Sequence, residues 1–569
     1  MLLRGFSFLA LLNLVFGLSS NYLSVGDLGN VVGVVNRTEW TDRRVFAFRG
    51  IPYAEPPVGD LRFRPPVRVE SWGNEVLDAT AYGPACPQED SSYTSENCLT
   101  LGVFVPETEH LDNGTLLPVL IYIHGGTFRE GSAITKDPVR LLFESDLIVV
   151  VPQFRLGLLG LYSLQTDDVP GNVQFLDQIM AMQWVQDNIE YFGGDKNRVT
   201  LWGQSSGAAS VHFHLLSPLT EGLFHQTILQ SGSALRTYGI DPRPEESGVI
   251  LANYCGCRNA TNVDEITYCM KALPVDEILN CSIGYLKETI DDGLTRAKSH
   301  MAVIQKAGEQ KFLVSDPAEA LVAGNFLKLP MLGGVAKNDG SHYTMQLYDD
   351  ILVPHGLDKD ENYLRDNFTS YVIKWMGIPD ITGTVKQLMK KTYFPNELQT
   401  YDLASVIPGI RDMCSLIAYK SGGYETVHAN RKFKDTYVYT FDYLVDDPFS
   451  FKLPYPFEVG VTHGDDFKLM FPAQDYHREL NVDMAKLLIR LWTSFAINGV
   501  PSAHGVTWPV MSTPVGPYLV IDSQPSVRDN FIDEFVTIDT SVGSSSLSDF
   551  KIRYGWLLIV TIFLLRINY

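Results

Sequence analysis

Residues 198–216 read RVTLWGQSSGAASVHFHLL. The run 198–202 is rich in strand-favouring residues, and 208–216 has the small and apolar character of a buried helix. Between them stands Gly203-Gln204-Ser205-Ser206-Gly207, a G-x-S-x-G match. A chain that passes from strand to helix within five residues must turn sharply. Glycines at both ends of the turn let neighbouring backbone come close. The turn sets its central serine at a helix N-terminus, where the peptide dipoles create positive potential. The five-residue pattern alone is weak, because Gly and Ser are common. Its strand–turn–helix setting is what marks Ser205 as a candidate nucleophile.

The rest of the chain predicts a frame for that element. PVLIYI at 118–123 and LIVVVP at 147–152 read as strands buried on both faces, and 329–335 and 436–441 are further strand candidates. The segment 177–192 carries Ile179, Met182, Val185 and Ile189 at helical spacing. Strands without strict alternation, separated by helices, predict an α/β fold: a large, mostly parallel central sheet flanked by helices. The chain has 569 residues, 45% of them hydrophobic, which is ample for one large core. No repeat, low-complexity stretch or linker divides it. The net charge of −21 argues against nucleic acid as a partner, since phosphate binding needs cationic surface.

Both ends read as processing signals. Residues 1–20 carry Arg4, an apolar run over 5–18, and Gly17 and Ser19 at the −3 and −1 positions of a cleavage site, the order of a secretory signal peptide. At 541–569 small residues near Ser544 and Ser545 precede a polar spacer and the apolar run 555–565, followed by Arg566. Eleven residues rise about 16 Å as a helix, against a hydrocarbon core of about 30 Å. The pattern fits a GPI-attachment signal better than a span and predicts a lipid-anchored surface protein. Secretion makes the sequons at Asn36, Asn113, Asn259, Asn280 and Asn367 candidate glycan sites. It also favours disulfides among the seven cysteines. Short spacing favours Cys86–Cys98 and Cys257–Cys269. Cys255 with Cys281 stays open, and Cys414 reads as a buried thiol.

Further motifs fall in a fixed order: FRGIPYAEPPVGDLRFRPP at 48–66, ENCLTLGVFVP at 96–106, HGGTF at 124–128, FRLGLLG at 154–160, GQSSGAAS at 203–210, QSGSA at 230–234, GGVAKNDGSHY at 333–343 and GVTHGDDF at 460–467. Together the stretches resemble the type-B carboxylesterase and cholinesterase family of α/β-hydrolases. The resemblance extends to WTSFAINGVP at 492–501 and makes 21–540 one catalytic domain. It implies Ser205 as nucleophile, His463 as general base and Asp339 as the acid that orients it. It implies the N–H groups of Gly126, Thr127 and Ser206 as an oxyanion hole, and Ser231 as a serine near the histidine. It implies a structural Arg62–Glu96 ion pair, and the two short cysteine pairs match family disulfides. Asp465 and Asp466, beside His463, are rival acids. The implied chemistry is hydrolysis of a small-molecule carboxylic ester through an acyl-enzyme, with no metal or organic cofactor.

This chain departs from the family pattern at four points. Asp339 stands for the usual glutamate and Thr127 for a glycine. Gln204 replaces a glutamate beside the nucleophile, a detail shared with juvenile-hormone esterases, and removes attraction for a cationic substrate. The loop between Cys86 and Cys98 has no tryptophan, so a cation–π site for choline is missing. A second expectation therefore stands beside the esterase: a weak or inactive, neuroligin-like recognition protein that binds protein partners at the cell surface.

Overall fold

The computed structural model describes residues 21–537, except 90, 236–238, 261, 292–300, 379, 381, 395–397, 399, 446–454 and 472–480. The signal-peptide and lipid-anchor readings lie outside the described residues. No described helix is long and apolar enough to cross a membrane.

Seven strands run parallel side by side: Tyr518–Ile521, Thr436–Phe441, Met331–Ala336, Gln226–Gln230, Gly194–Gln204, Leu117–Ile123 and Ile148–Pro152. Antiparallel strands complete the eleven-stranded sheet. Ser526–Arg528 closes one edge, and Thr100–Pro106, Arg44–Pro52 and Val34–Arg37 close the other. The sheet is thus mixed and mostly parallel, with helices over it, as the sequence predicts.

Both faces of the parallel strands are covered, which is why they read as unbroken apolar runs. Along Leu117–Ile123 side chains alternate between two cores. Leu120 and Tyr122 join Trp202 and the helix Val482–Asn498, through Leu488 and Trp492. Ile121 and Ile123 join the helices Val173–Asn188 and Ser206–Leu216, through Met182, Ala208 and Val211. Each wholly buried large apolar side chain contributes about 1.5–3 kcal/mol.

The helix Val173–Asn188 begins four residues before the stretch read from its spacing. It is buried nearly all round, Gln174, Asp177 and Gln178 included, so a one-sided apolar stripe understates it. Asp177 is tolerated there because Arg155 binds it through N, Nε and Nη2 at 3.0, 2.8 and 2.6 Å. Disulfides join Cys86 to Cys98, Cys257 to Cys269 and Cys255 to Cys281. Cys414 is free and buried, and burial raises its thiol well above the usual range. Asn113, Asn259, Asn280 and Asn367 are exposed and Asn36 is half-buried.

Parallel order has one consequence for chemistry. Gln204 is paired with Gln230, Gly203 with Ile123, and Gln230 with Gly334. The carboxyl ends of four adjacent strands therefore lie level, where ligands bind in open α/β sheets.

Candidate active site

The loops leaving those four strand ends carry most of the flagged residues. Ser205 follows Gly194–Gln204 directly and begins the helix Ser206–Leu216. Its backbone is left-handed, φ 58° and ψ −124°, a strained state for a residue with a side chain. Strand and helix hold it from both sides. A Cβ on Gly203 would meet the carbonyl oxygen of Gly207 at 2.2 Å, so only glycine permits this closeness. Ser205 N–H donates to the Gln230 carbonyl at 2.8 Å. The side chain is partly open to solvent.

Asp339 follows Met331–Ala336 and is completely buried. Its Oδ2 accepts from Ala336 N–H at 3.0 Å, and its Oδ1 accepts from His463 Nδ1–H at 2.8 Å. The shorter carboxylate therefore reaches the imidazole. The rival acids point elsewhere. Asp465 accepts from Thr462 N–H at 2.8 Å, and Asp466 accepts from Tyr439 Oη–H and Phe467 N–H, each at 2.8 Å. Burial pushes the Asp465 carboxyl up to about 6 and raises that of Asp466 as well.

With Nδ1 protonated and engaged, Nε2 of His463 is an acceptor. Gln204 Nε2 stands 3.3 Å from it and donates to it. Among the described residues, Ser205 Oγ makes no hydrogen bond. Beyond the charge that it lacks, Gln204 thus caps His463 Nε2 with its amide. The ring of Tyr419 also stacks on His463, centroids 4.5 Å apart at 22°. No motif marks Tyr419, because it sits in helical sequence outside the stretches that carry the family resemblance.

The loop after Leu117–Ile123 faces the serine. Gly126, Thr127 and Phe128 have φ of 127°, 55° and 65°. The loop turns on itself through Arg129 and Glu130 N–H to the Gly126 carbonyl, at 2.9 and 3.0 Å, and Phe128 N–H donates to Ser206 Oγ at 3.2 Å. Thr127 is the costly member, since a β-branched residue rarely adopts positive φ. Behind the loop His124 stacks on Phe154 at 4.2 Å, and burial pushes its imidazole down to about 4, so it stays neutral. Among the described residues, the Gly126 and Thr127 N–H groups have no hydrogen-bond partner. At Ser231, φ is 55° and Oγ is buried without a hydrogen bond to any described residue.

A cavity of about 80 Å³ adjoins the loop, with Gln88, Arg129, Glu130, Leu156, Leu158 and Ile283 in its wall. Gln88 joins the disulfide loop to this wall. Its Nε2 donates to Cys86 and Gly131 carbonyls at 3.0 and 2.9 Å, and its Oε1 accepts from Gly131 N–H at 2.8 Å. Arg62 grips Glu96 through Nε and Nη2, both at 2.7 Å, the ion pair expected from the motifs. Chemically, the arrangement offers an imidazole whose Nδ1 is held by a buried carboxylate.

Known proteins resemble this sequence over most of its length. The family model described as "Carboxylesterase family" matches residues 21–538. Juvenile hormone esterase of Tribolium castaneum is 32% identical over 503 residues, 84% of this chain and 83% of that protein. A pyrethroid hydrolase of Mus musculus is 32% identical over 528 residues, 88% of this chain and 87% of that protein. An acylcarnitine hydrolase of Rattus norvegicus is 30% identical over 532 residues, 88% and 87% of the two chains. The family match and the extent of these similarities agree: the chain belongs to the carboxylesterase family.

Proposed function

We propose that the protein is a secreted or surface-anchored serine carboxylesterase that works through Ser205, His463 and Asp339. One observation carries the reading: His463 bonds buried Asp339 at 2.8 Å through Nδ1, beside a serine on a strained strand–helix turn. Substrate entry displaces the Gln204 amide from His463 Nε2. That nitrogen then takes the Ser205 proton as Oγ bonds to the ester carbonyl carbon. Gly126, Thr127 and Ser206 N–H groups hold the oxyanion, each such donor being worth about 10²–10³ in rate. The C–O bond to the alcohol breaks, and His463 returns its proton to the leaving oxygen. Water, activated by His463, then releases the acid and restores Ser205.

The substrate is an uncharged, small-molecule ester. Gln204 offers no anion to a cationic alcohol. Three disulfides and four exposed sequon asparagines support passage through the secretory pathway. A GPI anchor at 541–569 completes the reading.

A recognition protein on the same scaffold is the second reading. Gln204, rather than Ser205, occupies His463 Nε2. Hydrolysis of a short-chain p-nitrophenyl ester by the purified protein, beside Ser205→Ala, decides between them. Activity that disappears in the variant supports the esterase. Equal activity in both proteins sinks the role of Ser205, and none in either, both being folded, favours recognition.

A further inference from the structure

Leu403–Ser415 and Ser421–Asn430 are α-helices joined without a break by a π-helical turn, Leu416–Lys420. A π-turn widens the helix by one residue at some cost in hydrogen-bond geometry, and such turns concentrate where a side chain needs a special position. This turn places two side chains. The Tyr419 ring lies on His463, 4.5 Å between centroids and 22° from parallel. Behind Tyr419 stacks Tyr343, at 5.8 Å and 26°, and the edge of Trp375 meets Tyr343 at 5.6 Å. All three supporting rings are buried, so the column is fixed. The next residue, Lys420, is wholly buried and donates from Nζ to the Glu534 carbonyl. Its ammonium lies in the field of Asp412, Glu534 and Asp339.

We propose that Tyr419 is a positioning residue for ester hydrolysis, its ring fixing the plane of His463 and favouring the imidazolium that forms when Ser205 gives up its proton. The proposal rests on the assignment of His463 as the base. The face of an aromatic ring carries negative charge density, which attracts a cation lying over it. A ring stacked on the imidazole also removes the tilt that would carry Nε2 away from Ser205 Oγ.

The other groups around His463 do different work. Asp339 holds Nδ1 and Gln204 meets Nε2. His342 stands farther off, at 5.7 Å and 35°. Asp465, Asp466 and Lys468 lie on the helical turn that follows His463, and Lys420 lies on the Asp339 side. Tyr419 covers a ring face at stacking distance.

The test compares kcat/KM against pH for wild type, Tyr419→Phe and Tyr419→Leu on a p-nitrophenyl ester, with thermal melts alongside. Tyr419→Leu keeps the burial but removes the ring. Its acid limb should move down by about 0.5–1.5 pH units, the size of a partly desolvated cation–π contact. Its kcat should fall about 10-fold. Tyr419→Phe keeps the ring and should keep the wild-type limb. An unmoved limb in Tyr419→Leu, with kcat reduced, would make the ring mere packing and overturn the proposal. A shift in Tyr419→Phe as large as in Tyr419→Leu would overturn it too. If Tyr419→Leu does not fold, Tyr419→Met removes the ring with a more adaptable side chain and carries the same expectations. A wild-type profile with no acid limb, or activity retained in Ser205→Ala, would instead remove the base assignment on which the proposal stands.

Discussion

Replacing Gln204 with glutamate changes one charge next to one titrating nitrogen. Gln204 is 8% exposed, and its Nε2 lies 3.3 Å from His463 Nε2. The amide donates to that nitrogen, and only a neutral imidazole accepts there. A carboxylate reverses the preference, because it repels the lone pair and attracts the imidazolium. At about 4 Å and an effective dielectric near 20, one unit pair is worth ~4 kcal/mol, or ~3 pH units. Desolvation of the new carboxylate opposes part of this, and opposite charges at such range usually shift a group by about 1–3 units. Both the lost amide donor and the gained anion raise the pH at which His463 gives up its proton. The base must be neutral to act, so the acid limb of kcat/KM should rise by about 1–3 units relative to wild type. Activity at pH 7 falls, and recovers toward about pH 9. Initial rates on a neutral p-nitrophenyl ester, measured over a buffer series, read this directly. A folded Gln204→Glu enzyme whose limb stays in place, or moves down, would refute the electrostatic reasoning.

Three further substitutions probe the frame. Thr127 holds φ 55° with a β-branched side chain, a strain of about 1–3 kcal/mol, while glycine loses about 1 kcal/mol in chain entropy. Thr127→Gly should therefore melt at or above the wild-type temperature; a clear drop would mean that the side chain contributes packing that outweighs the strain. Asp465 is pushed by burial up to about 6, against ~3.9 in an unfolded chain. Its ionisation thus costs the fold ~3 kcal/mol at pH 7, a cost relieved as pH falls from about 6 to 4. Asp465→Asn should be more stable than wild type near pH 7.5, with the gain shrinking at about pH 4, and a gain independent of pH would contradict this. Arg155→Met leaves Asp177 buried without its partner and should lower stability by about 3–5 kcal/mol in urea, where an unchanged midpoint would count against the buried ion pair.

Contiguous chemistry was legible in the sequence, and long-range geometry was not. The turn around Ser205 could be read because strand, glycines and helix follow one another within twenty residues. The pairs Cys86–Cys98 and Cys257–Cys269 could be read because each spans twelve residues. Asp339 and His463 lie 124 positions apart, and only the resemblance to a family joined them. Residues 177–192 gave the position of their helix but not its start, because its first turn is buried and Asn172 before it makes no side-chain cap. At the antiparallel edge, Thr100–Pro106 is buried throughout and carries the same apolar run in either direction, while Val34–Arg37 is a four-residue, half-exposed strand too short to stand out. Gln204 was identified, but its partner depends on a χ angle that residue type cannot reveal. The π-turn at 416–420 was invisible for a related reason: one extra residue per turn leaves the helical pattern of a short segment almost unchanged.

Strain gives the site a second signature, independent of any motif. Among the described residues, eight other than glycine have positive φ, and four of them are Thr127, Phe128, Ser205 and Ser231. These four leave three strands that are adjacent in the sheet. At about 1–3 kcal/mol each they cost several kcal/mol together, a large share of the ~5–15 kcal/mol that holds a domain folded. A free loop would relax out of such states. Here it cannot, because Ser205 is bonded to the Gln230 carbonyl, Ser231 N–H to the Gly334 carbonyl at 2.9 Å, and Phe128 N–H to Ser206 Oγ. Three of the four strained residues are thus clamped to the strand or helix beside them, and Thr127 is held through its neighbour Phe128. Clamping of this kind holds the Ser205 backbone against the neighbouring loop before any substrate arrives. Preorganised donors and a fixed nucleophile lower a reaction barrier because no reorganisation is left for the chemical step. Surface recognition needs no such fixation of a serine against a neighbouring backbone amide. The strain therefore favours the esterase over the recognition protein, on grounds separate from the identity of the three residues.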